Sequence, residues 1–164
     1  MILVSACLAG IRCNYKGESK PNKQVIKLVK NGMAIPVCPE QLGGLPTPRS
    51  NARIINGDGF DVLEGKSKLI TDDGEDVTEQ YLKGAQEVLK IIKNFNISMV
   101  ILKQGSPSCG CGYIQGGKDS RKIVRGDGVT TALLKRNGIR VFTEEDLKVS
   151  NMKPKCLSLF LKMF

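Results

Sequence analysis

The fold is decided by residues 1–38, MILVSACLAGIRCNYKGESKPNKQVIKLVKNGMAIPVC. Residues 1–6 are a short apolar run that predicts a strand, and residues 20–30 set apolar side chains among lysines with the period of an amphipathic helix. Asn31-Gly32 ends that helix, and residues 33–37 form a second apolar run. A strand, a helix and a strand in this order predict a right-handed parallel unit.

The same alternation continues along the chain. Further helices are predicted from about residue 76 or 78 to 94 and over 129–136, and further strands over 98–102 and 139–142. Turn residues dominate 41–76, where two short β-like pieces predict a small hairpin excursion, and 105–128 is expected to be an irregular loop. The sequence therefore predicts one α/β domain, Rossmann-like, with a mostly parallel sheet, helices on both faces and a β-hairpin excursion.

Composition limits the class of protein. Apolar residues make up 41% of the 164 residues and charged residues 25%, as in ordinary globular domains. The apolar stretches are too short to cross a bilayer, and the apolar N-terminus lacks the basic residues of a signal peptide. We therefore expect no membrane association and a cytoplasmic location, where six cysteines are more often ligands or reactive thiols than disulfides.

Charge and the absence of histidine narrow the chemistry. The net charge of +9 attracts anions and raises nucleic acid as a partner, although a solvated basic surface explains it as well. The chain has no histidine, which excludes the commonest general base and zinc sites with mixed cysteine and histidine ligands. Proton transfer must then fall to a carboxylate, lysine, tyrosine, thiol or water.

Three cysteines are expected to meet at one edge of the sheet. Cys7 follows the first strand, Cys38 ends the second, and Cys109 lies shortly beyond the third. The carboxyl ends of parallel strands share one edge, which is where ligands bind in such sheets. We therefore predict a soft-metal or iron-sulfur site, with thiol pKa values lowered by nearby basic residues: Arg12, Arg49 and Lys103.

Other arrangements of the cysteines stay open. In one alternative, the three convergent cysteines are simply small residues buried in the core. In another, a four-thiolate zinc site is formed by Cys7, Cys13, Cys109 and Cys111. Cys156 is expected to be incidental. The chain lacks a Cys-x-x-Cys motif, which disfavours both a thiol redox protein and simple electron transfer.

Two polar residues lie beside these cysteines in sequence. Glu40 follows Cys38 by two positions and is the best candidate base, and Ser106 precedes Cys109 by three. Ser106 would orient a polar ligand or bond the backbone as turn serines do. Arg49 and Arg53 are candidate anion contacts, although exposed arginines are the commoner outcome.

Several short motifs together resemble the thiouracil desulfidase family. They are SACLAG at 5–10, CPE at 38–40, SPSCG at 106–110, GDGVT at 126–130 and GIRVF at 138–142. The resemblance covers about residues 1–146, which we take as a thiouracil-desulfidase-like domain. Residues 147–164 are then a C-terminal extension of unknown role.

The resemblance implies a [4Fe-4S] cluster held by Cys7, Cys38 and Cys109, with the fourth iron free to take sulfur from a thiolated pyrimidine. It implies an outcome that is hydrolytic and not redox, in which Glu40 handles protons and Ser106 assists. A small thiolated nucleobase is favoured over a thiolated RNA, because no second domain of the kind attached to some relatives is present.

One contrasting hypothesis is a zinc-stabilised, basic RNA-binding module with structural cysteines. Aromatic residues make up only 5% of the chain, which disfavours a base-stacking surface. Whether Cys13 or Cys111 serves as a fourth ligand stays open at this level.

Overall fold

A parallel β-sheet forms the centre of the fold, in a computed structural model that describes residues 1–115 and 122–148. In chain order the elements are β1 (Ile2–Ser5), α1 (Lys23–Lys30), β2 (Ala34–Val37), α2 (Pro39–Leu42), β3 (Ala52–Ile54), α3 (Gly59–Leu63), β4 (Leu69–Thr71), α4 (Thr78–Asn94), β5 (Met99–Leu102), β6 (Tyr113–Gln115), β7 (Ile123–Arg125), α5 (Val129–Arg136) and β8 (Arg140–Thr143).

The central sheet confirms the predicted α/β class. Within the described ranges it has four strands in the order β2-β1-β5-β8, and every neighbouring pair is parallel. Ser5 pairs with Val37, and Leu102 pairs with Thr143, so neighbouring strands end at nearly the same level. The segments that follow β1, β2 and β5 therefore begin side by side at one edge.

Both faces of the sheet are covered by helices. Successive side chains of β1 point to opposite faces of the sheet. Val4 packs with Val25 and Leu28 of α1 on one face, and Leu3 packs with apolar residues of α4 and α5 on the other. A strand buried on both faces reads as a continuous apolar run, which is why periodicity located these strands. Across the described residues, no helix is both long and apolar enough to span a membrane.

The connections differ from the sequence prediction in three places. The predicted excursion is the antiparallel hairpin β3–β4, but it also contains the short helix α3, and α2 follows β2 directly. The prediction of an irregular loop over 105–128 was wrong in part, because β6 and β7 form a second antiparallel hairpin. Its residue Ile114 is fully buried beside Ile54 and Val129, contacts that no local pattern reveals.

Cys156 and residues 149–164 of the predicted extension lie outside the described residues.

Two glycines allow α2 to lie directly against α4. A Cβ atom on Gly84 would be 2.0 Å from the carbonyl oxygen of Pro39, and one on Gly43 would be 2.0 Å from that of Gln80. Only hydrogen fits at either position. Because α2 carries Glu40, this contact determines where that carboxylate lies.

We expect Gly84→Ala to destabilise the protein by about 1–3 kcal/mol, the usual effect of overpacking. Helix propensity alone would favour alanine by about 1 kcal/mol, so the steric clash must reverse the sign. Urea unfolding followed by circular dichroism measures the difference. Gln86→Ala, at an exposed position of the same helix, is the matched control and should change stability little. Equal stability of the two variants would mean that α2 moves away at no cost.

Candidate metal centre and active site

A cavity of about 350 Å³ lies at the carboxyl edge of the sheet. This volume falls within the range of small-molecule sites. The loops after β1, β2 and β5 supply its wall and bring together the five residues that the family resemblance implies as ligands or catalytic groups: Cys7, Cys38, Glu40, Ser106 and Cys109. Cys13 lines the same cavity.

Cys7 and Cys38 are placed by the ends of adjacent strands. Cys7 lies in a single 3-10 turn, Ala6–Ala9, that follows β1 and ends at Gly10, whose φ of +92° suits glycine. Cys38 follows β2 and precedes the first residue of α2, Pro39. Both side chains are half-buried. Their proximity follows from the parallel pairing of β1 with β2.

Cys109 is buried and is held from two directions. The hydroxyl of Ser5, at the end of β1, donates to its Sγ at 3.6 Å, and Thr131 Oγ1 donates to its carbonyl oxygen at 2.8 Å. Its loop lies so close to the start of α5 that a Cβ atom on Gly128 would be 2.4 Å from the carbonyl carbon of Ser108. Cys109 is therefore fixed by both the sheet and the following helix.

The three thiols differ in their readiness to ionise. A hydrogen bond from Cys13 lowers the pKa of Cys38 to about 7, with further help from the Gln41 amide. The same thiol lowers the pKa of Cys7. Burial raises the pKa of Cys109, although the Ser5 hydroxyl opposes this effect. Cys7 and Cys38 therefore lose a proton more readily than an ordinary thiol, whereas Cys109 loses one less readily unless a cation binds it.

Glu40 is held by three donors at the cavity wall. Arg49 Nε donates to Oε2 at 2.6 Å, and Ser106 Oγ donates to Oε1 at 3.4 Å. The hydroxyl of Tyr81, a buried residue of α4, also hydrogen-bonds Glu40. The Arg49 side chain is only 5% exposed and that of Glu40 is 13% exposed. The carboxylate therefore has a fixed orientation and a compensated charge.

Ser106 combines the two roles that the sequence left open. Its Oγ accepts hydrogen bonds from the amides of Ser108 at 3.1 Å and Cys109 at 3.3 Å, as turn serines do. Its proton is then directed towards Glu40. Lys103, also at the cavity wall, donates to Glu144 and to the Gln104 carbonyl oxygen. Its charge is thus balanced within the site.

Some sequence-based candidates lie elsewhere. Arg12 is exposed and does not line the cavity. Arg53 also lies outside the cavity lining, where it forms an ion pair with Asp72 at 2.7 Å instead of serving as an anion contact of the site. Cys111 is also outside the cavity, and its thiol hydrogen-bonds Lys135. This placement disfavours the four-thiolate zinc arrangement that included Cys111. Sequence reasoning in turn missed Tyr81, whose only signal was a polar hydroxyl at a core position of an amphipathic helix.

The donor set suits a soft metal centre such as an iron-sulfur cluster. Cys7, Cys38 and Cys109 line one cavity, and cysteine thiolates are the ligands that hold iron-sulfur clusters. In 1–115 and 122–148, no three cysteine, aspartate or glutamate side chains are already arranged around a single metal ion.

The fold and the site define an α/β protein in which a triad of cysteines and an oriented carboxylate face one small-molecule cavity. Comparison with known proteins identifies the family. The family model of 2-thiouracil desulfurase matches residues 2–146, and the chain belongs to this family. The resemblance predicted from the sequence motifs is confirmed.

Two relatives extend the comparison. The solved structure of the [4Fe-4S]-dependent thiouracil desulfidase TudS superposes with a TM-score of 0.81 at 38% identity, covering 99% of this chain and 98% of that one. The uncharacterized protein YbbK of Bacillus subtilis (strain 168) is 52% identical over 147 residues, which are 90% of this chain and 97% of YbbK.

We expect Arg49→Met to destabilise the protein by about 3–5 kcal/mol, because the mostly buried Glu40 carboxylate would lose the cation that compensates its charge. Urea unfolding of the metal-free protein measures the loss. Arg136→Met is the matched control, since it breaks an exposed pair with Glu64 and should leave the unfolding midpoint almost unchanged. Equal effects of the two substitutions would contradict a structural role for the Arg49–Glu40 pair.

Proposed function

We propose that this protein is a [4Fe-4S]-dependent desulfidase that replaces the sulfur of a thiolated pyrimidine, such as thiouracil, with oxygen and releases sulfide. Its family and its similarity to TudS support this reaction. The single structural observation that carries it is that Cys7, Cys38 and Cys109 line one cavity together with Glu40.

In this proposal Cys7, Cys38 and Cys109 are the cluster ligands. When bound, the cluster supplies a Lewis-acidic iron without a protein ligand that accepts the sulfur of the substrate. Cys7 and Cys38 reach it from adjacent strand ends, and Cys109 reaches it from the loop after β5, oriented by Ser5 and Thr131. Glu40 and Ser106 remain free of metal and face the same space.

Glu40 is the proposed general base. It accepts a proton from the water molecule that adds to the carbon bearing sulfur, while Arg49 and Tyr81 hold its carboxylate in place. Ser106 keeps its hydroxyl proton directed at Glu40 and helps to position the water. The oxygen of water replaces sulfur on the ring, the two protons of water leave with the sulfur as hydrogen sulfide, and no electrons are gained or lost.

A small thiolated nucleobase is the proposed substrate class. A cavity of about 350 Å³ accommodates a single pyrimidine ring, and a thiolated RNA is the less favoured alternative. The proposal includes a cytoplasmic location, because the five cysteines of the described residues are free thiols and such thiols persist in reducing compartments.

The test is anaerobic purification followed by iron, sulfide and zinc analysis, with sulfide release from 2-thiouracil assayed on the same sample. We expect about four iron atoms and four sulfide ions per chain, together with turnover. Stoichiometric zinc without iron or turnover would reject the proposal and favour the zinc-stabilised RNA-binding module.

A further inference from the structure

Cys13 is a buried thiol in the active site to which neither the ligand set nor the proton transfer assigns a role. The residue is only 1% exposed, yet it lines the cavity. Its carbonyl oxygen accepts a hydrogen bond from Arg49 Nη2 at 3.1 Å, and the Cys38 thiol, while it keeps its proton, also donates to it at 3.7 Å. Arg49 also donates to Glu40, so it keeps the main chain of Cys13 beside the loop that carries Cys38 and Glu40.

The thiol of Cys13 contacts two of the three proposed ligands. Cys13 lines the same cavity as Cys7 and Cys38, and its thiol lies within hydrogen-bonding reach of both side chains. A thiol has one weakly acidic proton to donate, and a thiolate sulfur accepts it. Once Cys7 and Cys38 bind iron they have no proton of their own, so Cys13 is the donor to both. Its single proton is shared or alternates between them.

Such a donor affects a cluster in two ways. Hydrogen bonds to ligand sulfurs withdraw electron density and stabilise the reduced, more negative state, which raises the reduction potential. Groups that orient metal ligands also contribute about 10- to 100-fold to metal retention or activity. A fourth ligand would instead close the open iron, which the proposed reaction needs for its substrate.

We propose that Cys13 remains a thiol and is a positioning residue, donating S–H hydrogen bonds to the ligand sulfurs of Cys7 and Cys38 and thereby setting both the retention and the reduction potential of the cluster. This inference rests on the proposed function, because it requires a cluster on those two cysteines. It assigns Cys13 a role distinct from that of a ligand.

The experiment compares three substitutions of Cys13 with one control. Cys13→Ala removes the donor, Cys13→Val removes it while keeping the buried volume, and Cys13→Ser keeps a donor. Cys111→Ala removes a thiol that lies near the cluster loop but outside the cavity. Each anaerobically purified protein is assayed for iron content, rate of iron loss to a chelator, and midpoint potential by EPR-monitored redox titration.

We expect Cys13→Ala and Cys13→Val to lose iron about 10- to 100-fold faster than the wild type and to have a more negative midpoint potential. Cys13→Ser should restore most of both properties, and Cys111→Ala should match the wild type. Unchanged iron loss and potential in both the Ala and Val variants would overturn the inference. Absence of a cluster from all three Cys13 variants would also overturn it, because Cys13 would then be a ligand. A wild type without iron would instead reject the proposed function, and this inference with it.

Discussion

Cys7→Ser, Cys38→Ser and Cys109→Ser are each expected to purify anaerobically without an intact cluster and without measurable desulfidase activity. In the proposed ligand set each of the three cysteines holds the cluster and one iron is left open, so losing one cysteine leaves the cluster short of a ligand. Serine preserves size but binds iron poorly, because its hydroxyl is hard and far less acidic than a thiol. Iron and acid-labile sulfide content, measured together with sulfide release from 2-thiouracil, check the result.

Folding must be separated from cluster loss in these variants. Cys7 and Cys38 are half-buried, so serine should be tolerated there. Serine at buried Cys109 places a hydroxyl beside that of Ser5, which offers it a hydrogen-bond partner. Circular dichroism should therefore show folded protein in all three cases. Cys111→Ser is the matched control and should retain its cluster. Loss of the cluster from Cys111→Ser, but not from Cys38→Ser, would refute the ligand set.

The sequence was sufficient to predict the central sheet for a physical reason. β1 and β5 are buried on both faces, so they appear as short apolar runs that no solvated segment resembles. The β6–β7 hairpin was missed because its stability comes from burying Ile114 against residues distant in sequence. Helix α2 was missed because it has only four residues and depends on a glycine contact with α4. Both features are tertiary in origin.

The part of the candidate site that depends on the order of the parallel strands could be predicted from the sequence. The ends of parallel strands meet, so Cys7, Cys38 and Cys109 converge, and Glu40 and Ser106 accompany them as close neighbours in sequence. The contribution of Tyr81 depends on how α4 packs, which no motif encodes.

The sequence also could not predict that the thiols of Cys109 and Cys111 point in different directions. The Gly110 amide donates to the Ser106 carbonyl oxygen in a tight turn, and Gln104 binds both the amide and the carbonyl of Cys111 at 2.8 Å. These bonds direct the Cys111 thiol to Lys135, away from the cavity. Two cysteines separated by one residue face the same side only in extended backbone.

Glu40→Gln is expected to retain the cluster and to lower kcat about 10²- to 10⁴-fold, the range that a positioned general base contributes. The amide matches the carboxylate in shape and still accepts a hydrogen bond from Arg49, but it cannot take a proton from water. Binding of 2-thiouracil should persist, because the cavity wall is unchanged.

The measurement is therefore kcat and KM for sulfide release, normalised to iron content, since only a loss confined to kcat identifies a proton-transfer role. Glu145→Gln is the matched control: it removes a carboxylate that accepts a hydrogen bond from the Tyr113 hydroxyl, outside the cavity, and should leave kcat unchanged. Full turnover of Glu40→Gln with a normal cluster would remove Glu40 from the mechanism. Because the chain has no histidine, the base would then have to be sought among the remaining polar groups of the cavity wall, which include Ser106, hydrogen-bonded to Glu40 at 3.4 Å.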